Sequence, residues 1–353
     1  MRNTRILLIS RKFPPSVGGM EIYTKNFVDS LKKSYSVDTI LLSKNQLHLF
    51  WFFPFALIKS FLLNIFNRYD VIYIADALLS PLGLVLKVCF KPRIFVTVHG
   101  LDITFKNWLY QMVVPRCVSR FDKVICVSLN TLAECLKRGV PEKICTFIPN
   151  GVNIFEFYSL LSRREIESEI KNKIGIDLSG KKVILTTGRL IKRKGVDWFI
   201  NNVFKNLPKE YIYLVLGDGP LKLNIQRLIK ELNLEERVFV LGRVNQDVLI
   251  MLYNYAYVFV MPNQRIKDDP EGFGIVAIEA ASSGLPVVAN DVDGVNQAVL
   301  NGKTGWLVEY NNIKLFLDKI INIGLKREDV RSQAKIFSWD LVIEKYKSLI
   351  NSN

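Results

Sequence analysis

Short, continuously apolar runs alternate with helix-length segments along the whole chain, and this alternation limits the possible folds more than any other feature. Continuous apolar strands separated by helices are typical of parallel sheets with helices on both faces. Two such series predict two doubly wound α/β domains that face each other across a cleft, with the ligand at the carboxyl ends of the strands. The strand candidates are 6–10, 37–42, 71–74, 94–98 and 123–127, then 183–187, 213–216, 238–241, 257–261 and 286–289.

A turn-forming stretch separates the two series. Residues 148–153 read Ile-Pro-Asn-Gly-Val-Asn, and 353 residues suit two domains of about 150 residues each. We therefore predict a first domain over 1–153 and a second over 154–335, which includes a charged helix near 163–173. The last helical pattern, at 338–349, could complete either domain on these grounds alone.

The composition is that of a globular chain with a basic first half. Hydrophobic residues make up 49% and charged residues 23%, which excludes a disordered chain. Residues 1–150 carry 20 Lys/Arg and 9 Asp/Glu, whereas the remainder carries 28 and 24. This asymmetry favours an anionic partner such as a membrane surface, a lipid pyrophosphate or nucleic acid. A lysine-rich solvated surface would give the same counts.

The number and spacing of cysteine and histidine residues indicate whether a metal site is expected and in which cellular compartment the protein resides. The five cysteines all precede residue 150 without a Cys-x-x-Cys spacing, and the chain has two histidines. This argues against a Cys/His zinc site and favours reduced thiols in a cytosolic protein. The apolar N-terminal run lacks a small-residue cleavage site, so we interpret it as a first β-strand and not as a signal peptide.

Three motifs carry candidate chemistry. Gly18-Gly19 follows the first strand and precedes a helix that should bury Met20, Tyr23, Phe27 and Leu31, with its N-terminus favouring an anion. Residues 187–195 follow the first strand of the second domain and contain Arg189, Lys192, Arg193 and Lys194, cations that could neutralise a diphosphate. Taken singly, the first motif could be a plain turn and the second a basic surface loop.

The third motif, at 269–289, is the most specific. Gly272 and Gly274 leave backbone N–H groups free as a helix begins, and Gly284 ends that helix. Glu271 precedes the helix and Glu279 lies on it, so the two carboxylates could reach different hydroxyls of one nucleotide sugar. A lone carboxylate on so apolar a helix requires a partner.

The combined motifs resemble those of glycosyltransferase family 4, which includes bacterial mannosyl-, glucosyl- and N-acetylhexosaminyltransferases. The resemblance implies the GT-B fold of two Rossmann-like domains, with the terminal segment 336–353 packing back on the first domain. The motifs cover nearly the whole chain: Gly-Gly-Met-Glu (18–21), His-Gly-Leu-Asp (99–102), Pro-Asn-Gly-Val-Asn (149–153), Gly-Arg-Leu (188–190) with Lys194-Gly195, Gly-Asp-Gly-Pro (217–220), Gly-Arg-Val (242–244), Glu-x7-Glu (271–279) and Gly-x-Thr-Gly (302–305).

The resemblance also implies roles for individual residues. Arg189 and Lys194 would hold the diphosphate, Glu279 the ribose hydroxyls and Glu271 the donor sugar, while His99 would face the sugar near the reacting carbon. The remaining donor contacts would come from Gly18 and Gly19, from the backbone of Phe273, Gly274, Ile275 and Val276, and, around the base, from Arg243 and Val244.

One loop departs from the family pattern. Relatives often carry Gly-Gly-hydrophobic-Pro-Glu where this chain has Asp293-Gly294-Val295-Asn296-Gln297. The usual carboxylate is therefore Gln297, and the sugar preference of the family cannot be transferred through this loop.

The resemblance implies that anomeric configuration is retained. Our hypothesis is a front-face attack, with the nucleotide sugar as co-substrate and with neither cofactor nor metal. Lysine, arginine and helix N–H groups would replace a metal, and we interpret Asp291-x-Asp293 as a loop. We expect GDP-mannose or a UDP-hexose as donor, a glycan or lipid-linked acceptor, a cytoplasmic location at the membrane, and no nucleic-acid partner, since no recognition module is present.

Residues 47–66 form an aromatic, apolar stretch of about 20 residues, long enough to span a bilayer. Pro54 and Lys59 interrupt it, and it falls between two sheet strands, so a span would disrupt the domain. A buried helix explains about half of its apolar residues. Docking on an anionic leaflet explains the surplus of aromatic residues better.

Two other functions remain open on the sequence. A nucleotide-sugar epimerase of the same fold would need its own acid/base set and no acceptor. A catalytically silent, membrane-associated scaffold would have lost the chemistry, but His99, Arg189, Lys194, Glu271 and Glu279 are all present.

Overall fold

The computed structural model describes residues 4–16, 18–42, 48–267, 269–292 and 294–352. The chain divides into two compact units. The first consists of Met1–Gly151 together with Ser338–Asn353, and the second is Val152–Phe337. The boundaries expected from the sequence, after 153 and after 335, lie two residues from these. The terminal segment is grouped with the first unit.

The elements of the first unit alternate between strand and helix. In chain order they are β1 (Arg5–Ser10), α1 (Gly19–Lys32), β2 (Ser36–Leu41), α2 (Leu49–Asn67), β3 (Val71–Ile74), α3 (Ser80–Phe90), β4 (Arg93–Val98), α4 (Leu101–Thr104), α5 (Trp108–Val118), β5 (Lys123–Cys126), α6 (Leu129–Lys137) and β6 (Cys145–Phe147).

The second unit repeats this alternation, and a last helix returns to the first unit. The elements are α7 (Arg163–Ile174), β7 (Lys182–Thr187), α8 (Val196–Asn202), β8 (Tyr211–Leu216), α9 (Lys222–Glu231), β9 (Val238–Gly242), α10 (Gln246–Tyr255), β10 (Val258–Met261), α11 (Ile275–Ser282), β11 (Val287–Asn290), α12 (Val295–Ala298), β12 (Gly305–Val308), α13 (Ile313–Ile321), α14 (Arg327–Ala334) and α15 (Trp339–Asn351).

Each unit contains one parallel sheet of six strands. The orders are β2-β1-β3-β4-β5-β6 and β12-β11-β10-β7-β8-β9, and every strand pair is parallel. The predicted α/β class is therefore confirmed, and all ten predicted strands are present within two residues of their expected bounds. The edge strands β6 and β12 were not predicted.

Helices cover both faces of the first sheet. On one face α1 and α15 contribute Tyr23, Phe27, Trp339 and Tyr346 to the core, and on the other face α2, α3 and α5 pack. The Tyr23 hydroxyl lies 2.8 Å from that of Tyr346 and 3.3 Å from the Thr97 hydroxyl, so buried hydroxyl groups satisfy one another. This network ties the terminal helix to the sheet.

Helix α1 buries a different set of side chains from the predicted one. Tyr23, Phe27 and Leu31 are buried as expected, but Met20 is only half-buried and Glu21 is buried instead. The expectation for Met20 was wrong because spacing identifies a helix face but not the point at which that face emerges from the core. Glu21 is tolerated inside because Lys12 pairs with it at 3.1 Å.

Candidate active site

A cluster of charged and polar side chains stands at the carboxyl ends of β7 and β10. Lys194 Nζ donates a hydrogen bond of 2.6 Å to Glu271 Oε2, and Asn263 Nδ2 donates one of 2.7 Å to the same oxygen. The guanidinium of Arg193 lies 2.5 Å from that oxygen and also pairs with Asp269 at 3.1 Å. One carboxylate oxygen of Glu271 is therefore held from three sides.

The electrostatics keep Glu271 ionised. Burial raises the pKa of this carboxyl group, but the charges of Lys194 and Arg193 outweigh burial and lower the pKa to about 2. A carboxylate with so low a pKa accepts hydrogen bonds well and is a poor proton acceptor at neutral pH. Its chemistry suits binding hydroxyl groups more than general base catalysis.

Gly195 allows the basic turn at 192–194 to lie close to Glu271. Gly195 has a φ of +64°, and a Cβ on it would lie 2.0 Å from the Pro262 carbonyl oxygen. The turn 192–194 and the start of α8 can therefore approach the backbone that follows β10, where Gln264 N donates to the Arg193 carbonyl at 2.8 Å. Glycine at 195 is needed both for its backbone conformation and for this close approach.

A small pocket adjoins the cluster and contains three predicted site residues. Arg189 is exposed at its rim, Lys194 and Val276 are half-buried, and Val276 belongs to the first turn of α11. The pocket thus combines two cations with the N-terminal end of a helix, a combination that favours an anion. Its lining consists of Thr186, Thr187, Gly188, Arg189, Leu190, Lys194, Val196, Met261, Asn263 and Val276.

The start of α11 is fixed by its surroundings. Gly274 has a φ of +88° and caps the helix, with Ile275 as its first residue, while Phe273 is buried and its ring lies edge-on to that of Phe337 at 6.1 Å. A Cβ on Gly294 would lie 2.5 Å from the Glu271 carbonyl oxygen, so the loop before α12 packs directly on the loop that carries Glu271. The predicted backbone donors therefore have a defined position.

Glu279 is buried on α11 with one hydrogen bond from another side chain. The Tyr253 hydroxyl donates to Glu279 Oε2 at 3.1 Å. Burial raises the pKa of Glu279 to about 7, despite the opposing effect of this hydrogen bond. Val276 and Glu279 are three residues apart and share one side of α11, but Val276 lines the pocket and Glu279 does not.

Arg243 and Val244 follow β9 and are farther from this cluster. Arg243 is exposed and Val244 is half-buried. In the sheet, β9 is separated from β7 by β8 alone, which corresponds to about 10 Å between the two strand ends. These residues therefore lie at the same edge of the sheet as Lys194 but do not join its contacts.

His99 stands at the carboxyl end of β4 in the first unit. Its Nε2 lies 3.1 Å from the Ala75 carbonyl oxygen, and its ring is edge-on to Tyr23 with 5.0 Å between centroids. Because a carbonyl only accepts, this contact places a proton on Nε2. The His99 backbone N donates to Asp102 Oδ1 at 2.8 Å, which fixes the turn after the strand.

Gly18 and Gly19 lie at the start of α1. Gly19 is its exposed first residue, and a Cβ on Gly18 would lie 2.4 Å from Glu21 Oε2. The glycine at 18 therefore makes room for a carboxylate from within the protein. That carboxylate is paired with Lys12, so part of the anion preference of this helix end is met internally.

Two residues of the cluster were not predicted as site residues, namely Arg193 and Asn263. Arg193 was noted only as one cation in a basic run, and its side chain meets Asp269, 76 positions away. Of the divergent loop, Asp293 lies outside the described residues. Gln297 is half-buried, and its Oε1 is buried without a hydrogen-bond partner among the described residues.

Comparison with known families agrees with this arrangement. The family model described as Glycosyltransferase Family 4 matches residues 17–155, and the one described as Glycosyl transferases group 1 matches residues 167–336. The chain belongs to glycosyltransferase family 4. As a member of this family it is a glycosyltransferase with the GT-B fold of two Rossmann-like domains.

Individual relatives align over most of this glycosyltransferase. It is 25% identical to the GDP-mannose-dependent alpha-(1-6)-phosphatidylinositol monomannoside mannosyltransferase of Mycolicibacterium smegmatis, over 87% of this chain and 86% of that protein. It is 26% identical to the UDP-Gal:alpha-D-GlcNAc-diphosphoundecaprenol alpha-1,3-galactosyltransferase of Escherichia coli, over 73% and 67%. Anabaena HepE in complex with UDP and glucose superposes with a TM-score of 0.80 and 18% identity, over 99% and 100%.

Proposed function

We propose that the protein is a retaining hexosyltransferase that moves a hexose from GDP-mannose or a UDP-hexose to a glycan or lipid-linked acceptor at the cytoplasmic face of the membrane. The observation that carries the proposal is the cluster in which Arg189 and Lys194 line a pocket beside the start of α11, with Glu271 bound to Lys194. Cations, helix N–H groups and sugar-binding carboxylates are the groups that a nucleotide-diphosphate sugar requires.

In this proposal the diphosphate of the donor occupies the pocket. Arg189, Lys194 and the backbone N–H groups of Ile275 and Val276 bind its oxygens and stabilise the charge that develops as it leaves. Glu271 accepts hydrogen bonds from hydroxyl groups of the donor hexose, while Glu279 accepts them from the ribose. Backbone atoms around Arg243 and Val244 bind the base and complete the part of the donor site that the second unit supplies.

Transfer proceeds on one face of the sugar. The acceptor oxygen attacks the anomeric carbon as the bond from that carbon to the phosphate oxygen breaks, and the acceptor proton passes to the departing phosphate. Because acceptor and leaving group share a face, configuration is retained. The pKa of Glu271, about 2, supports a role in accepting hydrogen bonds and not one as a general base. His99 contacts the donor sugar.

The cations of the site take the part that a metal plays in other transferases, so we propose metal-independent transfer without a cofactor. Transfer that survives a chelator would agree with this, and transfer restored by a divalent cation after chelation would contradict it.

The names of two relatives support the donor and acceptor classes. The mycobacterial relative is named for GDP-mannose and a phosphatidylinositol mannoside, and the Escherichia coli relative for UDP-Gal and a diphosphoundecaprenol-linked sugar. Both named acceptors are lipid-linked. The basic first half of the chain suits an acceptor with phosphate groups. We favour GDP-mannose slightly over a UDP-hexose.

The proposal is tested by assay of transfer and of product configuration. We expect one of GDP-mannose, UDP-glucose or UDP-galactose to support transfer to a lipid-linked acceptor, and NMR of the product to show the anomeric configuration of the donor. Arg189→Ala should lower kcat by about a hundredfold or more. An inverted product, or full turnover by Arg189→Ala, would contradict the mechanism.

A further inference from the structure

Helix α2 packs on the first unit through one face, of which four side chains are fully buried. Its buried residues recur at intervals of four, and the last two are polar: Phe52, Ala56, Ser60 and Asn64. Phe52 and Ala56 belong to the core on that face of the sheet, and Asn64 is satisfied by the Ser60 carbonyl at 2.8 Å. Beside these four residues, Phe53, Leu57 and Phe61 are partly buried against the same core.

The outward face of α2 also holds large apolar side chains, and these are exposed. Trp51, Phe55, Ile58, Leu62 and Ile65 follow one another at spacings of four, three, four and three residues, which is a single stripe along the helix. Together with Phe50 and Phe66 they are between 53 and 81% exposed. The stripe is about 20 Å long. An apolar surface of this extent is typical of a binding site and not of a solvated helix.

The helix does not cross a bilayer in this fold. Of the described residues, only α2 forms a helix long and apolar enough for a span by length and composition. It packs against α3 and β2, with the Phe61 and Phe90 rings 5.0 Å apart. A span would withdraw Phe52 and Ala56 from the sheet core. Contact through one face is compatible with the fold.

The charges around this stripe are mostly positive. The sequence from 39 to 101 contains six Lys/Arg and only two acidic residues, Asp70 and Asp76. Of the basic residues, Lys59, Arg68 and Lys91 are exposed, and Arg68 and Lys91 stand at the C-terminal ends of α2 and the adjoining α3. Apolar side chains bordered by cations match the layers of an anionic membrane surface.

The aromatic start of α2 stands at the sheet edge that carries His99. A helix that follows a parallel strand begins at the carboxyl end of that strand, which places Trp51, after β2, at the same edge as His99, after β4. The exposed Trp108 at the start of α5, on the same face of the sheet, belongs to this edge as well. A lipid surface against α2 would therefore lie beside the carboxyl ends of the strands of the first unit, where His99 is located.

We propose that α2 lies in the headgroup layer of an anionic bilayer, along the membrane plane, with its outward stripe inserted and Lys59, Arg68 and Lys91 at the lipid phosphates. The inference rests on the membrane location proposed above and deepens it by naming the surface that makes the contact. It assigns the exposed apolar face to lipid and not to a second protein.

Flotation of the full chain tests the surface. Vesicles of phosphatidylcholine with phosphatidylglycerol should carry the protein, and vesicles of phosphatidylcholine alone should carry much less. The variant with Phe55→Ser, Ile58→Ser and Leu62→Ser should lose about tenfold or more of its partitioning. Its matched control carries the same change at three exposed leucines outside α2: Leu160→Ser, Leu223→Ser and Leu341→Ser.

The orientation is tested by fluorescence of Trp51. Brominated lipids should quench the emission of the wild-type protein, and most of that quenching should disappear in Trp51→Phe. Quenching that persists in Trp51→Phe and disappears in Trp108→Phe would move the contact from α2 to α5 and overturn the proposal.

Three results would overturn the assignment to lipid. The first is that the α2 variant binds vesicles as well as the wild-type protein does. The second is that only the leucine control loses vesicle binding. The third is a wild-type dimer in light scattering that becomes monomeric in the α2 variant without any flotation of either protein. In that case the stripe would be an interface between two copies.

A binding measurement separates this inference from the proposed function. The thermal shift caused by UDP or GDP should be the same in the α2 variant and in wild type, because none of its three residues belongs to the candidate site, and it also reports correct folding. Flotation without any nucleotide-induced shift in wild type would refute the catalytic proposal and leave the membrane surface standing.

Discussion

At the scale of single residues, two carboxyl groups of the second unit affect the stability of the fold in opposite directions as pH changes. Burial raises the pKa of Glu279 to about 7 from an ordinary 4.5, whereas the pKa of Glu271, although its side chain is largely buried, is held at about 2 by Lys194 and Arg193. Glu279 therefore contributes stability that is lost as pH rises through about 7. Glu271 contributes stability that is present above 4.5 and lost as pH falls through about 2.

This difference predicts opposite outcomes for the two amide substitutions. At pH 8, Glu279→Gln should raise the free energy of unfolding by up to about 3 kcal/mol, and Glu271→Gln should lower it by a similar amount. Near pH 4 the effect of Glu279→Gln should vanish. Urea denaturation at both pH values measures this, and an effect of Glu279→Gln that does not depend on pH would show that its carboxyl group is not perturbed.

Arg193 offers a second residue-scale prediction. Its contacts with Asp269 and Glu271 hold the loop before α11 in place. We expect Arg193→Ala to lower kcat/KM by about tenfold to a hundredfold, because Glu271 would lose part of its orientation. The exposed neighbour Lys192 provides the matched control. Equal losses in Arg193→Ala and Lys192→Ala would indicate a general effect of charge.

The sequence predicted the identity of most candidate site residues but not the contacts between them. Gly274, Glu271 and Glu279 were recognisable because glycines and carboxylates are unusual around an apolar helix. Arg193 was one of three consecutive basic residues, and nothing local distinguishes the two that turn inward, Arg193 and Lys194, from the exposed Lys192. Asn263 carried no signal, since its partner is known only once β10 and the loop after it are positioned.

At the scale of elements, close backbone approaches decide which glycines are essential. Gly195 and Gly175 both have positive φ values, but a Cβ on Gly195 meets the Pro262 carbonyl at 2.0 Å, whereas one on Gly175 meets nothing within 4 Å. Gly175→Ala should cost about 1 kcal/mol from backbone strain alone. Gly195→Ala should cost roughly 3 kcal/mol or more because α8 must move.

Denaturation curves of the two variants measure this difference. If Gly195→Ala is no less stable than Gly175→Ala, the turn 192–194 does not pack on the backbone after β10, and the position given to Lys194 would be incorrect.

The limits of sequence-based prediction also appear at the element scale. Central strands such as β3 and β8 are fully buried and read as continuous apolar runs, so they were predicted. The edge strands β6 and β12 have three and four residues and are partly exposed, which leaves no such run. Helix α2 is apolar on nearly every side, so no periodicity could show which face turns outward.

At the scale of the whole molecule, the last helix belongs with the beginning of the chain. Five apolar or aromatic side chains of α15 are buried in the core of the first unit: Trp339, Val342, Ile343, Tyr346 and Ile350. Their burial is worth on the order of 8 kcal/mol, comparable to the stability of a whole domain. Removal of 338–353 should therefore unfold the first unit.

Hydrogen exchange of the backbone amides measures the unfolding separately in each of the two units. In the truncated chain, β1 and β3 should lose protection while β7 and β8 keep it. Tyr346→Phe, which removes one buried hydroxyl group, should cost only about 1 kcal/mol and keep both sheets protected. Equal loss of protection in both units would contradict the division into two units.

The central claim is that the second unit binds a diphosphate between the basic turn at 192–194 and the start of α11. A crystal structure of the protein with GDP or UDP tests it most directly. The account predicts diphosphate oxygens within hydrogen-bonding distance of Arg189, Lys194 and the backbone N–H groups of Ile275 and Val276, with ribose hydroxyls at Glu279. A diphosphate bound at any other place, with Lys194 still held by Glu271 alone, would contradict it.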